Sequence, residues 1–339
     1  MRIIIDAMGG DNAPAEIVKG AVMAAEEFGV EITLVGDEEK IRKCLEEQGT
    51  ADDDGRFTVV HASQVIEMED DPSTAVRSKK DSSMAVALHL LADGEGDACV
   101  SAGSTGALLT GATLIVKRIR GIRRAALAPV LPNGKNGVVL IDCGATAECT
   151  PEYLLQFAYM GSFYAKNILG CSSARVALLN VGAEETKGGE LQRETYALLK
   201  NASDEGRMNF IGNAEGRDLL SGDMDVMVSD GFSGNVLLKG TEGTIKFLMA
   251  ELKSIFKSNL LSKLAAAMVY GKFKALKKKM DVSEVGGTAM LGISKPVIKA
   301  HGDSDARAVR SAVRQAIAFI NADVIGEIER SIEYMKLEK

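Results

Sequence analysis

Short apolar runs alternate with longer amphipathic runs along most of this 339-residue chain. The apolar runs predict strands, which we place at 2–6, 31–35, 57–61, 98–100, 127–131, 138–141, 175–180, 208–211 and 226–228. Runs with helical periodicity predict helices at 14–28, 37–48, 82–92, 151–169, 189–200 and 304–334. This alternation is typical of βαβ units, so the chain is expected to form an α/β fold with a mainly parallel sheet. No change of composition marks a linker, which predicts one domain over residues 1–339.

Five of the predicted strands run into loops that are rich in glycine and small polar residues. These loops follow the strands that end near Asp6, Ser101, Asp142, Asn180 and Asp230. Because the carboxyl ends of parallel strands lie at one edge of a sheet, the loops are expected to form one ligand site. The loop at 101–106 precedes a predicted helix, whose first N–H groups would suit an anion. Ser104 or Thr105 could cap that helix.

The segment 241–281 departs from this pattern because it is helical throughout and strongly basic. Between Lys253 and Lys279 it contains eight lysines and no acidic residue. Its apolar stretch at 260–270 is too short to span a bilayer, but its apolar side chains could enter a membrane interface. The alternative is a helical pair buried between subunits, with the lysines solvated. The side chains assigned to membrane contact are Leu260, Leu261, Leu264, Met268 and Val269.

Composition and charge exclude several classes of function. A net charge of −7 argues against a general nucleic-acid-binding protein. The five cysteines form no CxxC pair, and the three histidines belong to no metal-binding motif, so neither a disulfide framework nor a metal site is predicted. No cofactor is predicted either. Arg2 leads directly into an apolar strand, so no signal peptide is expected, and no apolar run approaches the ~20 residues of a spanning helix.

The usual catalytic motifs are missing from the sequence. It contains no GxSxG nucleophile, no Walker A motif and no GxGxxG after the first strand. The protein therefore either only binds, or takes its nucleophile from the substrate, as an enzyme that uses phosphate would. Such a site needs orientation and oxyanion stabilisation, which backbone N–H groups, Asn235 and a cation such as Lys187 could supply.

Seven motifs together resemble the PlsX family, the phosphate acyltransferases of bacterial phospholipid synthesis. The motifs are DAMGGDNAP at 6–14, VIEM at 65–68, KKDSSM at 79–84, SAGSTGA at 101–107, EETKG at 184–188, SDGFSGNV at 229–236 and KPVIKAHG at 295–302. The resemblance extends in one register from residue 2 to about residue 320. Two positions depart from the family, which often has histidine where Asn12 stands and usually has asparagine where Thr146 stands.

The resemblance implies transfer of a fatty acyl chain from acyl carrier protein to inorganic phosphate. The acyl phosphate product would then serve a membrane glycerol-3-phosphate acyltransferase. It also implies a three-layer α/β/α fold like that of phosphotransacetylases and isopropylmalate-type dehydrogenases, with the segment 241–281 protruding as a helical pair. A homodimer in the cytoplasm, attached loosely to the inner face of the membrane, is implied as well.

Individual residues can be given roles on this basis. Lys187, Asn235 and His301 are the catalytic candidates, although Asn235 could simply cap a helix and His301 could be a core histidine rather than a general base. Asp6 and Asp11 are expected to brace the first loop, and Asp230 to organise its own loop rather than act as a base. Candidate substrate-binding residues are Asp6, Gly9, Gly10, Asp11, Ser101, Gly103, Ser104, Thr105, Gly106, Asp230, Gly231, Ser233 and Gly234.

Three basic residues, Arg77, Lys79 and Lys80, are candidates for docking the acidic carrier protein, within a long polar loop at 65–81. Three alternative functions each fit part of the sequence to a different degree. A phosphotransacetylase that uses acyl-CoA would share both fold and chemistry. A nicotinamide dehydrogenase would need a dinucleotide fingerprint and a carboxylate cluster for a metal, which the sequence lacks. A non-catalytic scaffold on the membrane surface would explain the lysine-rich segment but not the five polar loops.

Overall fold

The strands of the protein form two sheets, in a computed structural model that describes residues 1–50, 54–280 and 286–337. The first sheet has seven strands, which are β1 (Arg2–Asp6), β2 (Glu31–Gly36), β3 (Phe57–His61), β4 (Ala98–Ser101), β5 (Ala126–Ala128), β11 (Thr288–Leu291) and β12 (Val297–Lys299). They lie in the order β3-β2-β1-β4-β12-β11-β5. Only β11 runs antiparallel to its neighbours in this sheet.

The second sheet has five strands in the order β6-β7-β10-β8-β9. They are β6 (Val130–Leu131), β7 (Val138–Ile141), β8 (Arg175–Leu179), β9 (Asn209–Ala214) and β10 (Val226–Val228). Here only β6 is antiparallel to its partner. The sequence predicted one strand over 127–131, but Pro129 divides it, so that one half joins each sheet. We call the two halves of the molecule the first lobe and the second lobe, each named after its sheet.

The helices are α1 (Ala15–Phe28), α2 (Glu38–Glu47), α3 (Ala75–Ser78), α4 (Ser83–Asp93), α5 (Thr105–Gly111), α6 (Pro151–Ile168), α7 (Glu190–Asp204), α8 (Gly231–Lys257), α9 (Leu260–Met280), α10 (Ala306–Asn321) and α11 (Val324–Arg330). A π-helical turn at Ala112–Val116 extends α5, and short 3-10 turns lie at Gly216–Asp218 and Ile332–Met335. The polar loop predicted at 65–81 contains α3, and the C-terminal segment is a helix pair, α10 and α11.

Alternating side chains along the strands enter two hydrophobic cores, one on each face of the sheets. Ile3 and Ile5 of β1 belong to one core, whereas Ile4 belongs to the other. Val226 and Met227 of β10 are separated in the same way. Because successive strand residues point to opposite faces, both faces of each sheet must be covered by helices. The layers are therefore helix, sheet and helix, which confirms the predicted α/β fold class.

The long helix α8 begins in the second lobe and continues into the predicted protrusion, where it pairs with α9. The side chain of Asp230 accepts a hydrogen bond from the Ser233 N–H, so the helix begins at Gly231 rather than near residue 241. Phe256 of α8 packs edge-on against Phe273 of α9, with ring centroids 5.6 Å apart. Residue 281 and the side chains of 275–280, at the end of the lysine-rich segment, lie outside the described part. Within the described residues, no helix is long and apolar enough to cross a membrane.

Candidate active site

In the first lobe, the ends of two neighbouring strands hold a buried polar pair. Asp6 ends β1 and lies beside Ser101, which ends β4. The Ser101 Oγ donates a 2.6 Å hydrogen bond to Asp6 Oδ2 and accepts one from the Gly103 N–H. Burial raises the pKa of Asp6, and hydrogen bonds from Ser101 and Ser83 oppose that rise. Asp6 therefore braces the turn at 101–106, which is not the loop that the sequence assigned to it.

Glycine is required where the first loop crosses this turn. A Cβ on Gly9 would lie 2.5 Å from Asp6 Oδ2 and 2.7 Å from the Gly103 nitrogen. Gly10 has a φ of +100°, and the next residue, Asp11, donates its N–H to the carbonyl of Gly302. The loops that follow β1, β4 and β12 are thus held together at one edge of the first sheet.

The turn at 101–106 leads into α5 through Ser104. Ser104 is buried and occupies the N-cap position, but its side chain forms no capping hydrogen bond. The Ser104 hydroxyl therefore does not cap α5, and the prediction that it could do so is wrong. A Cβ on Gly106 would lie 2.8 Å from the Pro72 ring, so the polar loop at 65–81 packs directly against the turn. Thr105 is the first residue of α5, so it is not the cap either.

A buried lysine that the sequence analysis did not assign lies under the same turn. Lys299 ends β12, in register with Ser101, and is only 9% exposed. Its Nζ donates hydrogen bonds to the carbonyls of Ala102, at 3.1 Å, and Ala300. Burial lowers the pKa of Lys299 to about 8, although the nearby charges of Asp6 and Asp11 oppose the change. A lysine at an inward-facing position of a short apolar strand was the pattern that could have revealed it.

His301 lies two residues after this lysine and is exposed. Its side chain is 63% exposed, and its Nδ1 lies 2.6 Å from Asp303 Oδ1. The interpretation of His301 as a core histidine is therefore wrong. Asn12 uses its side-chain amide to donate to the carbonyls of Asp303 and Ser304. Both residues thus belong to the rim of the first-lobe cluster.

In the second lobe, another buried aspartate organises the loop after β7. Asp142 Oδ1 accepts hydrogen bonds from the backbone N–H groups of Leu127 and Ala145, and Oδ2 accepts one from that of Thr146. Burial raises the pKa of Asp142 to about 6, although these N–H groups oppose the rise. Thr146 also accepts the Gly231 N–H through its carbonyl. The backbone of residue 146 makes these contacts, so they do not depend on whether threonine or asparagine stands there.

The start of α8 packs tightly against this second loop. A Cβ on Gly234 would lie 1.9 Å from the Asp142 carbonyl oxygen, and one on Gly231 would lie 2.5 Å from Asp142 Oδ2. Asp230 caps the helix through the Ser233 N–H, which is the organising role expected of it. Asn235 is therefore not the cap, and it is exposed beside Gly144.

Lys187 lies on the loop that follows β8, in the same lobe. Its side chain is exposed and passes over Gly182, whose Cβ would lie 3.1 Å from the Lys187 Cγ. Asn180 fixes the loop, because its Nδ2 donates to the Lys187 carbonyl and its Oδ1 accepts the N–H of Val181. The lysine is thus attached to a well-anchored backbone while its charge remains exposed.

The predicted site residues therefore fall into two clusters at the carboxyl ends of strands. The first lobe contributes Asp6, Gly9, Gly10, Asp11, His301 and the turn at 101–106. The second contributes Lys187, Asp230 and residues 231–235, which form the first turn of α8 rather than the predicted loop. Lys239 of α8 lies close enough to Lys299 for its charge to lower the pKa of that lysine, which links the clusters. Among the described residues, no group of three or more His, Cys, Asp or Glu side chains could hold a metal ion.

The three predicted docking residues lie on the loop beside the first-lobe turn. The Lys79 Nζ donates to the carbonyl of Val65 at 2.9 Å and to Asp70 Oδ2 at 2.5 Å. Its charge is thus used to hold the loop itself. Arg77 and Lys80 are exposed.

Comparison with known proteins identifies the family. A family model described as "Fatty acid synthesis protein" matches residues 1–327, so the chain belongs to that family, as its resemblance to the PlsX family predicted. The phosphate acyltransferase of Geobacillus thermodenitrificans is 50% identical over 336 residues, covering 98% of this chain and 99% of that protein. That of Thermoanaerobacterium thermosaccharolyticum is 47% identical over 333 residues, covering 98% and 97%. The family to which the chain belongs therefore includes phosphate acyltransferases.

Solved structures support the same fold. A phosphotransacetylase from Streptococcus pyogenes matches with a TM-score of 0.63 at 18% identity, covering 96% of this chain and 94% of that one. A branched-chain phosphotransacylase from Enterococcus faecalis matches with a TM-score of 0.54 at 16% identity, covering 94% and 99%. These likenesses confirm the predicted phosphotransacetylase-like fold.

Proposed function

We propose that this protein is a phosphate acyltransferase that transfers a long-chain fatty acyl group from acyl carrier protein to inorganic phosphate. One phosphate oxygen bonds to the thioester carbonyl carbon, the C–S bond breaks, and the carrier-protein thiol leaves with the proton that phosphate releases. The product is an acyl phosphate, and the enzyme forms no covalent intermediate. The supporting observation is that a buried aspartate organises a turn at the strand ends of each lobe, while Lys187, Asn235 and His301 are exposed.

The cysteines favour phosphate itself as the nucleophile. Burial raises the pKa of the Cys99, Cys143 and Cys149 thiols, which keeps them protonated near neutral pH. A protonated buried thiol is a weak nucleophile, so none of the three is suited to forming an acyl-enzyme. Orientation of phosphate against the thioester, together with stabilisation of the oxyanion, then accounts for catalysis.

In this proposal the exposed polar side chains act on the acyl donor. Lys187 stabilises the oxyanion that develops on the thioester oxygen, and Asn235 donates a hydrogen bond to the same group. His301, paired with Asp303, is the candidate for proton transfer at the rim. Arg77 and Lys80 receive the acidic carrier protein, since Lys79 is already bonded within its own loop.

The helical pair of α8 and α9 serves a homodimer and a membrane surface in this proposal. Its tip exposes Leu260, Leu261, Leu264 and Met268, each of them more than half exposed, with Val269 beside them. Such a surface on a basic helix suits an anionic bilayer. The enzyme would then work in the cytoplasm at the inner face of the membrane, where a glycerol-3-phosphate acyltransferase uses the acyl phosphate.

A test of the proposal measures acyl phosphate directly. Palmitoyl-acyl carrier protein and palmitoyl-CoA are each incubated with enzyme and phosphate, and acyl phosphate is trapped as hydroxamate. We expect hydroxamate from the carrier-protein thioester and its loss when phosphate is omitted. A preference for palmitoyl-CoA would support the phosphotransacetylase alternative. If neither donor gives hydroxamate, the proposed enzymatic activity is refuted and the membrane-surface scaffold is favoured.

The role of Lys187 is tested in the same assay. Loss of one charge-stabilising donor at an oxyanion lowers turnover about a hundredfold in comparable sites, and Lys187→Ala is expected to do so. Lys200→Ala is the control, because Lys200 lies on α7 of the same lobe and pairs with Asp204 on the surface. If both variants turn over at the wild-type rate, Lys187 has no part in the reaction.

A further inference from the structure

The most unusual charge in the protein is that of Lys299, a lysine held inside the first lobe. Burying a charged ammonium is costly unless it is well hydrogen-bonded or neutralised. Its described hydrogen bonds, to Ala102 and Ala300, use two of its three N–H donors and reach only carbonyl oxygens. No carboxylate bonds directly to Nζ among the described residues, although that of Asp6 is close enough to affect its charge. An apolar side chain could pack at this position without the cost of burying a charge. A charged lysine there therefore calls for another explanation.

The position of Lys299 supplies that explanation. Ala102, whose carbonyl it binds, lies between Ser101 and Gly103 in the turn at 101–106. Ser101 is itself bonded to Asp6 on one side and to the Gly103 N–H on the other. The turn is thus held from β1, β4 and β12 at once.

Charged groups face Lys299 from every side on which it is packed. Asp6 and Asp11 approach from the end of β1 and the loop after it, and Asp303 from the loop after β12; all three favour its charged form. Lys239 approaches from α8 of the second lobe and disfavours it. In the second lobe, by contrast, the groups bonded to Asp142 are backbone N–H groups, and Asp230 lies nearby. Among the described residues Lys299 is the only buried lysine or arginine, so the turn at 101–106 is the one with a buried cation beneath it.

We propose that Lys299 is a positioning residue for phosphate, which fixes the turn at 101–106 through the Ala102 carbonyl and supplies positive charge beneath it. This inference rests on the proposed function, because it assigns phosphate to the first-lobe turn and leaves the thioester to the second lobe. Lys299 itself need not touch the reacting atoms. Phosphate affinity, rather than affinity for the acyl donor, is expected to depend on it.

The test measures binding of inorganic phosphate to the full chain by calorimetry. Lys299→Met is expected to weaken phosphate binding by at least about tenfold, the effect of about one pKa unit of lost interaction. Lys295→Met is the matched control, because Lys295 begins the same segment and its Nζ also donates to two carbonyls, those of Leu91 and Ala92. We expect the control to bind phosphate as the wild type does. In the transfer assay, Lys299→Met should raise the KM for phosphate with little change in that for acyl donor.

A second measurement does not use Lys299→Met, and so decides the matter even if that variant does not fold. With a pKa of about 8, Lys299 is protonated in about one molecule in ten at pH 9, so wild-type affinity for phosphate should fall about tenfold from pH 7 to pH 9. Lys299→Arg, which stays charged, should not show this fall, and the difference removes the titration of phosphate itself.

The outcomes separate this inference from the proposed function. A wild-type protein that binds phosphate in this pH-dependent manner but yields no hydroxamate would refute the acyl transfer and leave the role of Lys299 standing. Acyl transfer by a Lys299→Met variant that binds phosphate as tightly as the wild type would overturn the role of Lys299 alone. Equal pH dependence in wild type and Lys299→Arg would overturn it as well.

Discussion

The two lobes each end in a turn organised by a buried aspartate, yet the two carboxylates are satisfied in different ways. Asp6, in the first lobe, takes hydrogen bonds from the hydroxyls of Ser101 and Ser83 as well as from backbone N–H groups, and has the charge of Lys299 nearby. Asp142, in the second lobe, is held by backbone N–H groups alone, including that of Leu127 from the first sheet.

The difference separates a responsive network from a rigid one. Side-chain hydroxyls and an ammonium can reorient or change charge, whereas backbone N–H groups are fixed by the fold. The first-lobe turn is therefore the one whose anion affinity should change between pH 7 and pH 9, where Lys299 loses its charge. The second-lobe turn should instead depend on backbone spacing, because Gly231 and Gly234 bring α8 against the Asp142 loop with no room for a side chain.

The largest expected effect comes from filling that space. Gly234→Ala would place a Cβ 1.9 Å from the Asp142 carbonyl oxygen, a backbone atom that cannot move aside without shifting β7 or α8. Overpacking of this kind typically lowers the free energy of unfolding by about 1–3 kcal/mol. Transfer activity should be lost as well, because the loop after β7 is displaced. Gly240→Ala, on the same helix in open space, should instead raise stability by about 0.5–1 kcal/mol. Urea unfolding of both variants measures the contrast, and similar midpoints would contradict the close approach.

A smaller effect concerns the carboxyl of Asp142. Its pKa in the folded protein is about 6, above the ordinary 3.8, so the folded state binds more protons than the unfolded state between these values. The free energy of unfolding should therefore gain a contribution, at most about 3 kcal/mol, as pH falls from about 6 to about 4.

Asp142→Asn provides the test because its side chain does not titrate. The difference in unfolding free energy between wild type and variant, measured by urea at several pH values, should change with pH only in that window. A difference that stays constant from about pH 7 to about pH 4 would show that the carboxyl is not destabilised by burial.

The sequence predicted most of the local structure that these comparisons depend on. Strand β1 lies at 2–6 as expected, and the small residues after the strands at Asp6 and Ser101 form turns, whereas those after Asp230 form the start of α8. These features depend on alternation and on turn chemistry, which are local properties of a sequence.

What the sequence did not reveal depends on pairing between distant segments. Lys299 is buried beneath Ala102 because β12 pairs with β4, although the two residues are 197 positions apart. The division at Pro129 likewise depends on which sheet each half of the strand joins. An apolar pattern indicates which side chains are buried, but it does not indicate which sheet buries them. His301 follows a buried strand closely, so the apolar pattern alone places it near the core, although its side chain is exposed.

The smallest predicted effect compares one hydroxyl from each lobe. Ser101 Oγ donates to the buried carboxylate of Asp6 at 2.6 Å, whereas Ser229 Oγ donates to the Asp142 main-chain carbonyl at 3.0 Å. A hydrogen bond to a charged group contributes about 1.5–3 kcal/mol and one between neutral groups about 0.5–1.5 kcal/mol. Ser101→Ala should therefore destabilise the protein by about 1 kcal/mol more than Ser229→Ala, as measured by urea unfolding at neutral pH. Ser101→Ala should also lose phosphate affinity, because the Gly103 N–H loses its acceptor and the turn above Lys299 loosens. Equal destabilisation by the two substitutions would mean that the Asp6 carboxyl is protonated when buried, and the contrast between a responsive and a rigid lobe would then fail.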